Sequence, residues 1–274
     1  TLMPGTPPIP RTRLIGREAE RAAARLILLD QSGPLLTLTG PGGVGKTRLA
    51  LAVARNVANR FTDGVIWVDL APLTDPALVP IAAVTVCNGH VPASHAPVES
   101  LIRLLAPRQT LLLFDNCEHV LAATADLVSA LLSYCPDVQV LATSRAPLRL
   151  RAERVLPIEP LPLPDAGASF EELSRNDAVS LFVERARALR PAFVFDATTA
   201  GTIGQICHQV DGLPLPIELA AAWSTIYSPR ALLDQMNDRL RWLNDGPRDL
   251  PARQQTVRDT IGWSYDLLSP KTQR

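Results

Sequence analysis

The chain has 274 residues, 47% of them hydrophobic, and its 27 basic side chains balance 27 acidic ones. That length and apolar content support two domains with real cores and part of a third. Zero net charge gives no electrostatic footprint for nucleic acid or an anionic membrane, and no apolar run approaches the ~18–20 residues of a membrane span.

In chain order, residues 1–13 are Pro-rich, lack signal-peptide architecture, and read as an extended, exposed linker cut from something larger. Residues 17–29 are helical in pattern. Leu35-Leu36-Thr37-Leu38-Thr39 is a short apolar, strand-like run. It leads into Gly40-Pro41-Gly42-Gly43-Val44-Gly45-Lys46-Thr47, which fits the phosphate-binding loop pattern G-x-x-x-x-G-K-[ST] in full. Residues 48–60, opening on Arg48, read as a helix with Leu49, Val53 and Val57 four apart. Strand, glycine loop and helix start make a cradle whose N–H groups converge on a polyphosphate. The nucleotide-binding set read here is Gly40, Gly42, Gly43, Val44, Gly45, Lys46, Thr47 and Arg48. Lys46 reaches the β- and γ-phosphates in this reading, and the Thr47 hydroxyl holds Mg²⁺. The chain has 25 Arg and two Lys, one of which is Lys46; a compact point charge on a thin stem fits a narrow loop where a planar fork does not.

Residues 64–70 read as a second strand, and 76–86 and 98–105 as helices. Residues 110–115 are a buried-type strand ending in Asp115, which in a P-loop protein faces the Mg²⁺ held by Thr47. The next position is Asn116, where many P-loop ATPases carry a second acid; an amide takes no proton, so slow hydrolysis is expected, if any. Glu118 either reaches the site through a water or is a solvated helix-start residue. Residues 118–134 read as a long helix, 138–143 as a strand and 154–158 as a short fifth strand. Arg145, just beyond the fourth strand, either contacts the γ-phosphate or caps the strand at the surface. Continuous apolar strands alternating with helices predict an α/β fold with a parallel five-stranded sheet covered on both faces.

After a Pro-rich hinge at Pro157, Pro160, Pro162 and Pro164 only helical periodicity follows. Ser174-x-x-Asp177 reads as a capping box opening a helix with Ala178, Phe182, Ala186 and Leu189 on one side. Further helices fit 197–210, 214–227 and 229–240, then a polar break at 244–253 and a helix at 255–268. The expected domains are a linker at 1–13, a nucleotide-binding domain at 14–160, a linker at 161–172, a helical domain at 173–245 and, at 246–274, the start of a further domain of a different kind. Cys87, Cys117, Cys135 and Cys207 lie far apart with no C-x-x-C pair, which reads as buried free thiols in a reducing compartment.

Together these residues resemble a STAND ATPase, the group that includes NB-ARC proteins and large bacterial transcriptional regulators. Leu14-Ile15-Gly16-Arg17-Glu18 resembles the hhGRE motif, residues 40–47 are the P-loop, and Leu111–Asp115 is the Walker B strand. Thr143-Ser144-Arg145 resembles the motif that reads the γ-phosphate, and Gly212-Leu213-Pro214-Leu215 the GLPL motif. Residues 253–270 look like the entry to a winged-helix domain. Asp115-Asn116-Cys117-Glu118-His119 is similar to bacterial regulators of the AfsR, SARP and LuxR-like kind.

The resemblance implies an AAA-like, ASCE-type sheet with the sensor strand beside the P-loop strand, then a small helical domain. It implies adenine held near Ile15, Arg17 and Pro214, with ATP or ADP and Mg²⁺ as ligands. It implies a cytoplasmic switch, closed with ADP and open with ATP, with Lys46, Asp115, Glu118 and Arg145 as the catalytic set. Self-association in the ATP state, with effector and sensor domains outside this fragment, belongs to the same expectation. The competing readings are a module that holds nucleotide with negligible hydrolysis and an AAA+-type motor. The missing second acid and the GLPL motif stand against the motor. Direct nucleic-acid binding by this stretch is not expected.

Overall fold

The computed structural model describes residues 5–30, 33–90 and 96–237. The helix expected at 255–268 and the winged-helix entry lie outside the described residues. Two compact units emerge: the described residues of Thr1–Gly40 with Lys46–Ile158, and those of Pro41–Gly45 with Glu159–Arg274.

The first unit is built on five parallel strands, β1 (Leu35–Thr39), β2 (Val65–Asp69), β3 (Leu111–Asp115), β4 (Gln139–Ser144) and β5 (Glu153–Pro157). Their order is β2-β3-β4-β1-β5, so β4, the strand for which the resemblance implied a sensor role, lies beside the P-loop strand β1 as expected, between it and β3. The central strands β1 and β3 are buried at every residue, whereas the edge strands β2 and β5 are largely half-buried or exposed. That gradient is what a sheet covered on both faces produces, and it explains the near-continuous apolar runs.

Helices α1 (Glu18–Leu29) and α2 (Lys46–Val57) pack on each other, and α2 contacts β1, β3 and β4. Helices α3 (Val79–Val86), α4 (Pro97–Leu105) and α5 (Leu121–Tyr134) join a second cluster with Leu112 and Phe114 of β3 and Val140 and Ala142 of β4. Alternate residues of β3 thus serve opposite faces. The helix expected from 118 starts later, at Leu121, because residues Cys117–His119 form a tight 3₁₀ turn first. Nor is the Pro-rich start free of the body: the Gly5 carbonyl accepts from the Trp67 N–H of edge strand β2 at 2.7 Å. An edge strand has unpaired N–H groups, and this contact uses one of them.

The second unit contains α6 (Phe170–Arg175), α7 (Asp177–Leu189), α8 (Ala197–Gln209), α9 (Pro214–Trp223) and α10 (Pro229–Asn237). Ala178, Phe182 and Ala186 are fully buried as the periodicity predicts, but Leu189 is exposed at the end of α7. The predicted capping box at Ser174 and Asp177 is not formed. The box is Ser169 with Glu172, opening α6, and Asn176 caps α7 by accepting from the Val179 N–H. Ser174 lies inside α6 and donates to the Phe170 carbonyl. Both sites satisfy the S/T-x-x-E/D pattern, but only Ser169 has the extended backbone a cap needs.

The Pro-rich stretch expected as a linker is hydrogen-bonded into this second unit. Leu161 N–H donates to the Gly212 carbonyl, Asn176 Nδ2 to the Pro162 carbonyl, and the His208 ring lies 2.7 Å from the Pro164 carbonyl. Proline donates no backbone hydrogen bond, so its carbonyls are bound by side chains instead. Gly212 has φ 67, and a Cβ there would sit 2.4 Å from the Leu161 carbonyl oxygen. Gly212→Ala is therefore expected to destabilise the helical unit by about 1–3 kcal/mol, since backbone blocks the space and the conformation is left-handed. Urea denaturation measures this; an unchanged midpoint would contradict the packing.

Candidate functional site

In a parallel sheet all strands end on one side, and chemistry collects there. The register pairs Thr39 with Ser144, and Leu38 with Thr143, so the phosphate loop leaves β1 beside the exit of β4. Asp69 pairs with Asp115 at the tips of β2 and β3. Gly40, Asn116 and Arg145 each follow directly on a strand end.

Gly40, Gly43 and Gly45 all have positive φ, at 151°, 77° and 97°. The loop needs these turns to aim successive N–H groups inward, which is why the pattern demands glycine. Lys46 is almost fully buried, and its Nζ donates to the Gly40 carbonyl at 2.8 Å. Burial lowers its pKa, against the opposing pull of Glu118; Arg145 lowers it further, and Asp115 raises it.

Asp115 is 2% exposed and sits within a cage of donors. Thr47 Oγ donates to Oδ1 at 2.8 Å, Thr143 Oγ donates to the same oxygen at 2.5 Å, and Asn116 Nδ2 donates to Oδ2 at 3.0 Å. Thr143 Oγ in turn accepts from the Asn116 N–H at 3.0 Å. Burial pushes the Asp115 pKa from 3.8 up to about 6, while the Thr143 and Thr47 hydrogen bonds hold it down and nearby Asp69 and Glu118 add repulsion.

Asn116 adopts a left-handed conformation, φ 62, that asparagine tolerates better than most residues. The 3₁₀ turn that follows is anchored by the His119 ring on the Leu70 carbonyl at 2.9 Å. It carries Glu118 back to the tip of β4, where Oε1 lies 3.5 Å from Arg145 Nε. The Glu118 side chain is 7% exposed, and its Oε2 has no hydrogen-bond partner. Glu118 is therefore not the solvated residue that one sequence reading allowed, and Arg145 is paired with it.

Lys46, Thr47, Asp115, Glu118 and Arg145 thus converge within one unit. Thr143 and Asn116 belong with them; the resemblance placed Thr143 in a motif that reads the γ-phosphate, and its bond to Asp115 is what the sequence did not reveal. Ile15 is half-buried, and Arg17 is buried at the start of α1 with φ 73, its guanidinium 2.6 Å from Glu20. The Arg48 side chain points to Thr12 and Arg13. Gly42, Gly43, Val44 and Gly45 group with the second unit, in which the Leu215 N–H donates to the Gly43 carbonyl at 3.1 Å and Pro214 opens α9.

The donor set fits a magnesium nucleotide. A hydroxyl and a carboxylate oxygen side by side are hard ligands suited to Mg²⁺, and the buried ammonium of Lys46 beside them is a cation of the kind a phosphate pairs with.

In the metal-free protein, a carboxyl whose pKa rises from 3.8 to about 6 keeps a proton that the unfolded chain has released. Stability therefore falls as pH rises from about 4 to about 6, and the loss of about 3 kcal/mol is complete above that window. Asp115→Asn should remove this pH-dependent loss. Denaturation in chelator at about pH 4.5 and about pH 7.5 tests it, an unchanged difference between the two being the contrary result.

No protein-family model matches the sequence. The chain is 38% identical over 258 residues to an uncharacterized protein of Mycobacterium tuberculosis, Rv0894, covering 94% of this chain and 62% of that protein. A candidate HTH-type transcriptional regulator of the same organism, Rv0890c, is 38% identical over 87% of this chain, which covers 26% of its length. The regulatory protein AfsR of Streptomyces griseus is 28% identical over 85% of this chain and 22% of its own. The chain therefore spans less than two thirds of each of these relatives. Among solved structures, a STAND protein with a tetratricopeptide repeat sensor from Pyrococcus horikoshii superposes with a TM-score of 0.50 at 14% identity, covering 85% of this chain and 33% of that one. Cdc6p of Pyrobaculum aerophilum gives 0.52 at 15% identity, covering 85% and 66%. These likenesses show the fold: the chain has the architecture of P-loop ATPases, and its sequence is similar to that of proteins named as regulators.

Proposed function

We propose that the chain is the adenine-nucleotide-binding switch of a bacterial signal-transduction or transcription regulator, with slow ATPase activity. The observation that carries this is the contact of Thr47 Oγ with Asp115 Oδ1, 2.8 Å, beside the buried Lys46. A hydroxyl, a carboxylate and an ammonium in that arrangement match a metal-bound polyphosphate and little else. Gly40, Gly42, Gly43, Val44 and Gly45 supply backbone N–H groups, Lys46 binds the β- and γ-phosphates, Thr47 and Asp115 hold Mg²⁺, and Ile15 and Arg17 contact the base. The regulator relatives support the signalling role and with it a cytoplasmic place.

Bound Mg²⁺ neutralises phosphate charge and polarises the γ-phosphoryl group. The residues do the rest. Arg145 exchanges its Glu118 partner for the γ-phosphate, so a triphosphate and a diphosphate leave it in different places. Released, Glu118 would accept a proton from water as the water oxygen bonds to the γ-phosphorus, the bond from that phosphorus to the bridging oxygen breaking and ADP leaving with the electron pair. This differential contact is what lets ATP and ADP favour different states of the module.

Two experiments test this. Nucleotide released on denaturing the purified protein is identified by chromatography, and Mg²⁺ with ATP or ADP is titrated into the emptied protein. Lys46→Ala should abolish binding, and unchanged affinity in that variant would falsify the proposal. Glu118→Gln should keep nucleotide affinity and lower single-turnover hydrolysis by about 10²-fold or more. A rate equal to wild type removes Glu118 from catalysis.

A second reading, a module that holds nucleotide with negligible hydrolysis, is favoured by Asn116, whose amide donates to Asp115 where many relatives have an acid. Single-turnover hydrolysis at the uncatalysed rate in the wild type selects it over the switch.

A further inference from the structure

Arg48 follows Thr47 in the first turn of α2, yet its guanidinium turns away from the Lys46 and Asp115 cluster. Nη2 lies 2.7 Å from Thr12 Oγ, 3.0 Å from the Thr12 carbonyl and 3.0 Å from the Arg13 carbonyl. One charged group thus holds two consecutive residues of a segment with no regular structure. Charge-assisted donation to backbone carbonyls is among the stronger ways to fix a loop.

The segment is held at its other end too. From Glu18 on it is α1, which packs against α2. Between the clamp and the helix stand only Leu14, Ile15, Gly16 and Arg17. Gly16 and Arg17 both have positive φ, at 64° and 73°. A left-handed arginine costs backbone energy and persists only where its surroundings impose it. The half-buried Leu14 and Ile15 are therefore presented on a short, strained span fixed at both ends to α2, the helix that carries Lys46 and Thr47.

We infer that Arg48 is a positioning residue for the base end of the nucleotide: it pins Thr12 and Arg13 to the phosphate-binding helix and so pre-forms the wall made by residues 14–17. This rests on the proposed nucleotide-binding function. A clamp of this kind adds affinity by removing the ordering cost of the loop, so it acts on ligands that carry a base and not on phosphate alone.

The test compares Mg²⁺-ATP with Mg²⁺-tripolyphosphate on the full chain by titration calorimetry. Arg48→Ala is expected to weaken ATP and ADP by about tenfold and to leave tripolyphosphate within about twofold. Arg48→Lys should restore only part of the ATP affinity, because the lysine stem is shorter and its ammonium falls short of the place Nη2 takes among these acceptors; it also carries the test if the alanine variant does not fold. Equal weakening of ATP and tripolyphosphate would show that Arg48 acts on the phosphates and overturn the inference, as would unchanged ATP affinity. A wild-type chain that binds neither ligand overturns the nucleotide-binding proposal itself, an outcome distinct from either.

Discussion

The burial of one carboxylate organises this molecule. Asp115 ends a strand of four fully apolar residues and lies where water does not reach it. An ionised carboxylate in such a place is costly unless several donors surround it. The chain supplies them from three separate elements: Thr47 from α2, Thr143 from β4 and Asn116 from the turn after β3. Each bond crosses between elements, so the cage also ties α2, β3 and β4 to one another. The strand order places β4 beside both β1 and β3, which is why a β4 side chain can close the cage.

The cage leaves the charge incompletely compensated, as the upward pull on the Asp115 pKa shows. A folded protein that tolerates such a group carries a local cost that a cation would remove. The same holds with opposite sign for Lys46, whose pKa burial lowers. Lys46 and Asp115 are thus two buried groups of opposite charge, each discouraged by desolvation. In the proposed function a bound Mg²⁺-polyphosphate would compensate both charges.

Much of this was legible in the sequence. The P-loop pattern, the apolar strand ending at Asp115 and the alternation of strands with helices fixed the fold class, because each follows from local periodicity or from glycine at defined spacing. What stayed hidden depends on contacts across the chain. Ser174 and Ser169 both match a capping pattern, and only tertiary packing decides which serine has an extended backbone. The Pro-rich stretch reads as a linker because composition is local, whereas its role is set by Gly212, Asn176 and His208, far along the chain. Glu118 offered two readings, and the left-handed turn at Asn116 that buries it has no sequence period to reveal it. That turn also gives Asn116 a reason of its own: it supplies both a tolerated left-handed backbone and a donor to Asp115, where an acid would supply repulsion.

The pairing of Arg145 with Glu118 bears on how sharply such a module would separate two nucleotides. In the proposed exchange a γ-phosphate would not meet a waiting cation; it would compete for Arg145 with the buried Glu118 carboxylate. The net gain is therefore the difference between two ion pairs and not the full value of one. A difference of about 1.4 kcal/mol shifts a population tenfold, whereas a full charge-assisted contact would shift it further. The proposed exchange thus favours a graded bias between states. It also ties discrimination to turnover, since the carboxylate set free when Arg145 moves is the one placed to take a proton from water. A module built this way would read a triphosphate and begin to destroy it through the same displacement.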